Sequence, residues 1–226
     1  MKKFDFLWAA ALAAVVAFLV VPSTHALFMA ASKFHPYLMA FVKFGVLATM
    51  GELLAVRIVS GDWRKPVGLI WRSAVWGFIG ILIALVFVIY DAGVTGAMAK
   101  HYLPVLGKEG FAHDLLKAFM TSALMNTLFA PTFMAFHRIT DTYIEMGEGK
   151  LSKIMGLRMD TVLSRIEWNS FVTFVICKTV PIFWIPAHTI TFMLPPEYRV
   201  MMAAMLSIAL GGILAFAKRK AVVKAS

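Results

Sequence analysis

Cysteine is almost absent from this chain. Of its 226 residues only Cys177 is a cysteine, which excludes an intramolecular disulfide and a cysteine-based metal cluster. Cys177 falls inside an apolar stretch, where packing is its expected role. Acidic residues are scarce too: 12 Asp and Glu face 22 Lys and Arg, for a net charge of +10. An excess of that size can mark a nucleic-acid binder. Here the basic residues sit at the ends of apolar runs instead of forming a patch interleaved with aromatics, so nucleic acid is not an expected partner. Enzyme signatures are missing as well, since the chain carries no Gly-rich phosphate loop, no Gly-x-Ser-x-Gly elbow and no His-Glu-x-x-His. The connections between apolar runs are too short for a separate catalytic domain. No enzyme activity, catalytic residue or cofactor is therefore expected.

What the chain has in abundance is apolar surface. Hydrophobic residues make up 61% of it and charged residues 15%, more apolar material than a soluble core of this size could hide. Six stretches read as membrane spans, at 6–21, 36–58, 68–90, 111–136, 168–194 and 200–217. The expected fold is all-α: a polytopic transmembrane helical bundle of about six spans. Basic residues fall on alternate connections. One side takes fifteen of the 22, including Lys2, Lys3, Arg57, Arg64, Lys65, Arg72, Arg138, Lys150 and the tail cluster Lys218, Arg219, Lys220 and Lys224. The other side takes only Lys33, Lys100, Lys108 and Arg199. Short loops rich in Lys and Arg stay cytoplasmic, so both termini are expected inside, against anionic lipid headgroups.

Residues 1–35 read as an anchor helix and a short outer loop, and 36–226 as the main bundle with a basic tail. The first run begins Met-Lys-Lys and ends in Pro22 and Thr24-His25-Ala26, in the manner of a cleavable signal. Its Ala9, Ala13 and Ala17 form a small-residue stripe suited to a retained, closely packed helix, and both readings stand. Residues 150–166 place Leu151, Ile154, Met155, Met159, Val162, Leu163 and Ile166 at three- and four-residue intervals. That pattern predicts one interfacial amphipathic helix between the fourth and fifth spans. Pro131, Pro181 and Pro186 predict kinks in those two spans.

Ionisable and polar residues inside the spans are the candidate functional groups, because each is costly in hydrocarbon without a partner. They are Lys43 and Glu52 in the second span, Ser122 and Asn126 in the fourth, and Lys178, Thr179 and His188 in the fifth. Glu52 and Lys178 lie at similar depth, so they read either as an ion pair fixing helix register or as part of a polar lumen. Five histidines, His25, His35, His101, His113 and His188, fall to the outer side and His137 to the inner. No two have His-x-x-x-His spacing, so no metal site is expected.

Trp184 to Phe192 with Leu194 to Arg199, Leu124 to Pro131, and Gly45 to Arg57 are three motifs that together resemble the Mpv-seventeen / peroxisomal membrane protein (PMP) family. Trp184-Ile185-Pro186-Ala187-His188-Thr189-Ile190-Thr191-Phe192, followed by Leu194-Pro195-Pro196-Glu197-Tyr198-Arg199, is similar to the family's Trp-Pro-x-x-Gln-x-x-Asn-Phe run and its Val-Pro and Tyr-Arg pairs. Leu124-Met125-Asn126-Thr127-Leu128-Phe129-Ala130-Pro131 keeps the spacing of Leu-Asp-Gln-x-x-x-Ala-Pro, and Gly45 to Arg57 resembles a Gly-x-Leu segment leading into Gly-Asp. The likeness covers roughly residues 41–217 and keeps the scaffold better than the polar positions: Met125-Asn126 stands for Asp-Gln, and His188 and Thr191 for Gln and Asn. It implies a remote relative, a compact bundle without catalytic machinery, associated with a pore for small solutes and with membrane homeostasis. The expected function is a narrow pore or channel for small solutes or ions. The alternative is an accessory or scaffold subunit of a larger membrane complex, and a homo-oligomer suits either. The Met-Lys-Lys start favours a bacterial inner membrane, with a mitochondrial or peroxisomal membrane as the alternative.

Overall fold

A computed structural model describes the backbone of residues 2–225 and the side chains of residues 2–216. The side chains of the basic tail, Lys218, Arg219, Lys220 and Lys224, lie outside the described residues. Every regular element among those described is helical, in the order α1 (Lys3–Val20), α2 (Pro22–Phe34), α3 (Pro36–Ser60), α4 (Leu69–Ala99), α5 (Phe111–Leu128), α6 (Ala130–Met146), α7 (Leu151–Gly156), α8 (Met159–Ser164), α9 (Trp168–Ser170), a wide-turn helix Phe171–Trp184, α10 (Ile185–Met193) and α11 (Pro196–Ala225). Five continuous helices are long and apolar enough to cross a membrane, and α5 with α6, bent by 46°, passes the same test as a pair, for six spans if the two cross as one. The chain is an integral membrane protein with the helical bundle that its hydropathy predicts. The bend falls at Phe129–Ala130, just ahead of Pro131, which has no N–H to continue the ladder.

At the centre α3 packs between α4 and α11, and glycines set both crossings. A Cβ on Gly80 would strike the Ala40 carbonyl and Phe44, while one on Gly51 would stand 3.1 Å from Ile208 Cα. Close approach exposes backbone to neighbouring side chains: the Ser73 hydroxyl of α4 donates to the Gly45 carbonyl of α3 at 2.9 Å. Around these crossings Phe28, Phe44, Leu47, Ile79, Phe87 and Ala204 form the buried core.

The N-terminus and two connections share one face. Lys2 pairs with Asp62 at 2.9 Å, and the Trp71 indole N–H donates to the Gly149 carbonyl. The opposite face holds Asp91, Lys117, Arg199 and the His25–Tyr198 hydrogen bond. Connections thus segregate in alternation, as the basic residues do.

Four expectations need correction. The short outer loop after the first helix is instead α2, which Pro22 starts and which buries Phe28. The third span does not end at residue 90; α4 runs on to Ala99, and its 31 residues extend about 46 Å, well beyond a hydrocarbon core of about 30 Å. The single interfacial helix is broken into α7 and α8, because the chain is extended at Leu157 and Arg158, just after the poor helix former Gly156. Its apolar residues divide accordingly, with Val162 and Ile166 buried and Met155 and Met159 exposed. Finally, the stripe Ala9, Ala13 and Ala17 is exposed. α1 docks by other residues: Asp5 accepts two hydrogen bonds from Arg57 and one from the Trp63 indole, the Trp8 indole donates to the Met50 carbonyl, and Val15 and Leu19 pack on the core.

Candidate functional site

Between α3, α4, the bent α5–α6 pair, α10 and α11 lies a cavity of about 240 Å³. Aromatic and aliphatic side chains make most of its wall, among them Phe44, Ile83, Phe133, Trp184 and Leu214. Polar groups gather at two levels. Glu52 meets Trp76, while His188 meets Phe87, and these two positions of α4 are eleven residues apart, about 16 Å along the helix.

At the first level a charged cluster forms from α3, α4 and α6. Glu52 accepts a 2.8 Å hydrogen bond from the Trp76 indole N–H and lies 4.0 Å from the Arg72 guanidinium. Arg72 also reaches Asp141 at 3.0 Å, so one cation serves two carboxylates. His137 stands between them, with Nε2 at 3.9 Å from Glu52 and Nδ1 at 3.7 Å from Asp141, and its ring lies 4.2 Å from that of Trp76. The buried Nε2 of His137 and Oδ1 of Asp141 lack an aligned hydrogen-bond partner. Glu52, His137 and Asp141 each offer a ligand atom, all within 4.8 Å of one another. Arg72 already supplies positive charge between the two carboxylates, however, and a divalent ion would have to displace it. The arrangement is that of an ion-pair network.

At the second level Asn126 and His188 meet. The Asn126 amide Nδ2 donates to the Ser122 carbonyl at 2.8 Å, and His188 Nδ1 lies 3.1 Å from that Nδ2 and 3.3 Å from the amide Oδ1. Ser122 donates its hydroxyl to the Ile185 carbonyl at 2.7 Å, tying α5 to the start of α10. His188 stacks on Trp184, whose buried indole N–H has no partner although the residue lines the cavity. Phe87 packs on His188 and Phe192 and lines a second, outer groove of about 440 Å³ together with Lys43, Asp91 and Arg199.

Of the residues singled out from sequence, Glu52, Asn126 and His188 line one cavity and Ser122 supports it. Three stand elsewhere. Lys43 is buried against the outer groove, bonded to Ser32 at 2.8 Å. Thr179 is buried but satisfies its hydroxyl on the Phe174 carbonyl of its own helix. Lys178 is exposed, as is Cys177, and Glu52 pairs with Arg72 and His137, so the expected meeting of Glu52 and Lys178 does not occur. The cause is local. Hydrogen bonds from Phe171 to Trp184 run five residues back, as in Ile185 N–H to Val180, and this wider turn rephases the face carried by the fifth span. Arg72, His137 and Asp141 were not singled out from sequence. Their signal was there, since Arg72 with Trp76 and His137 with Asp141 stand at i,i+4 on their helices and present paired polar groups on one face.

The fold and site define a helical membrane protein with a largely apolar cavity bordered by Glu52, Asn126, His137 and His188. No family model, no curated protein and no solved structure matches the chain.

Proposed function

We propose that this chain is a non-enzymatic membrane protein whose chamber is the middle of a narrow path for small solutes or ions, and that it is a remote member of the Mpv-seventeen/PMP family. One observation carries the reading: Glu52, Asn126 and His188, polar residues from three different spans, border a single cavity. Two carboxylates against one guanidinium favour small cations or neutral hydrogen-bonding solutes over anions. Phe87, which packs on His188 and lines the outer groove, acts as the barrier between chamber and groove. The Lys and Arg asymmetry supports a cytoplasmic location for both termini, in a bacterial inner membrane.

Reconstitution into liposomes tests this directly. Efflux of small polar solutes and single-channel currents are expected, and vesicles that stay tight at all voltages with folded protein would overturn it. The runner-up, an accessory subunit without transport of its own, is supported by the bare Ala9, Ala13 and Ala17 face of α1, which offers a neighbouring helix close contact. Purification in mild detergent with mass analysis separates the two, because only an accessory subunit retains a stoichiometric partner.

A further inference from the structure

Lys43 is a buried cation without a buried anion. Its residue is only 6% exposed, and its ammonium donates to the Ser32 hydroxyl at 2.8 Å and lies 4.4 Å over the Phe28 ring. Among the described residues no carboxylate pairs with it. Two carboxylates line the same groove: Asp91 is held by Arg199 at 3.0 Å and Lys117 at 3.1 Å, and half-buried Glu197 makes no ion pair among the described residues, with Lys43 or any other cation. An ammonium has three N–H donors, so with one on Ser32 and one toward the Phe28 ring a third remains for a ligand. Burying such a charge without a counter-charge is strongly unfavourable, and an anion seated in the groove removes that penalty.

The groove suits an anion that brings an apolar tail. Lys33 stands exposed at its rim, adding a second positive charge, while Ala84, Phe87 and Val88 form an apolar wall along α4. Val88 is 67% exposed, and Leu85 and Leu38 nearby are exposed as well, so in a bilayer this wall continues onto the lipid-facing surface of the bundle. A free phosphate would use only the polar half of such a site.

We propose that the groove between α2, α3, α4 and the start of α11 binds a phospholipid, with the headgroup phosphate on Lys43 and Lys33 and an acyl chain along Ala84 and Val88. The site is independent of any conduction through the central chamber. It differs from the loose attraction of basic loops to headgroups in having a buried lysine in the wall of a shaped recess.

The test uses the full chain, stripped of lipid in detergent. Phosphatidylglycerol, diacylglycerol and inorganic phosphate are added separately, with thermal unfolding and native mass analysis as readouts. Phosphatidylglycerol is expected to raise the unfolding temperature and to remain as a one-to-one adduct, while diacylglycerol and inorganic phosphate do neither. Lys43→Met should weaken phosphatidylglycerol binding at least tenfold and, having lost an uncompensated buried charge, should itself unfold no lower than the stripped parent. Lys33→Ala, at the exposed rim, should weaken binding a few-fold and provides the check if Lys43→Met does not fold. Equal stabilisation by diacylglycerol removes the phosphate contact, and stabilisation by inorganic phosphate alone removes the lipid. Parental affinity in Lys43→Met, or in Lys33→Ala if that is the variant that folds, overturns the site.

Discussion

Replacing Arg72 with Met tests the charged cluster most directly. The side chains of Arg72, Asp141 and Glu52 are only 14%, 16% and 19% exposed, so the guanidinium cannot be replaced by bulk water without rearrangement. With an effective dielectric of about 20, a unit pair at 3.0 Å attracts by roughly 5 to 6 kcal/mol and one at 4.0 Å by about 4 kcal/mol, before desolvation is subtracted. Asp141 is therefore the stronger partner. Removing one member of a buried pair typically costs about 3 to 5 kcal/mol, and Arg72→Met, which strands two carboxylates, belongs in that range. Asp141→Asn leaves Arg72 in reach of Glu52 and should cost less. In the double variant the stranded Asp141 charge is gone, so a cycle on unfolding in detergent should give a coupling of about 1 to 3 kcal/mol. The companion cycle of Glu52→Gln with Lys178→Met should be additive, because Lys178 faces outward and Glu52 is engaged with Trp76. Coupling below about 0.5 kcal/mol for Arg72 with Asp141, or clear coupling for Glu52 with Lys178, would refute this arrangement of α3, α4 and α6.

Phe87→Ala removes the ring between chamber and groove. It should raise solute efflux from liposomes several-fold while costing about 3 to 5 kcal/mol of stability, whereas unchanged efflux from folded protein contradicts the barrier role. Gly80→Ala should destabilise by about 1 to 3 kcal/mol, since its Cβ meets the backbone of α3, while Gly93→Ala, with open space around it, should be neutral or stabilising by up to about 1 kcal/mol; thermal unfolding compares them. Asp5→Ala strips Arg57 and Trp63 of their acceptor and should loosen α1 from α3, read as faster hydrogen exchange along α1 with the α3–α4 core unchanged.

The helical spans were legible because hydropathy is a property of a segment: long apolar runs identify themselves without knowledge of their neighbours. Glu52, Asn126 and His188 were legible for a related reason, as buried polar groups on otherwise apolar helices. Which of them meet is a different kind of fact. Arg72 counts in sequence as a basic residue at a span end, one more mark of topology, yet it reaches Glu52 because Gly45, Gly77 and Gly80 let α4 approach α3 closely. That crossing depends on the absence of side chains, which hydropathy does not weigh. Asp141 reaches the cluster because the bend at Phe129 redirects α6, and a proline predicts that a helix turns but not toward what.

Lys178 shows the same limit from the other side. It adjoins Thr179, and on any regular helix adjacent residues point some 100° apart, so the two could not both face one lumen. The wide turns through Phe171–Trp184 bury Thr179 and leave Lys178 outside. Carrying one charge outward there while Arg72 enters from α4 keeps the positive partner on a helix that α3 already grips through its glycines. The two carboxylates thus meet their shared guanidinium beside the crossing where the packing is closest. The opposite level of the chamber, beside the wide-turn helix Phe171–Trp184, holds Ser122, Asn126 and His188 and, among the described residues, no carboxylate or guanidinium. Rearrangement is least costly where no full charge must be carried along, so the conduction proposed above predicts opening at Asn126, His188 and Phe87, with the Arg72 cluster as the fixed end.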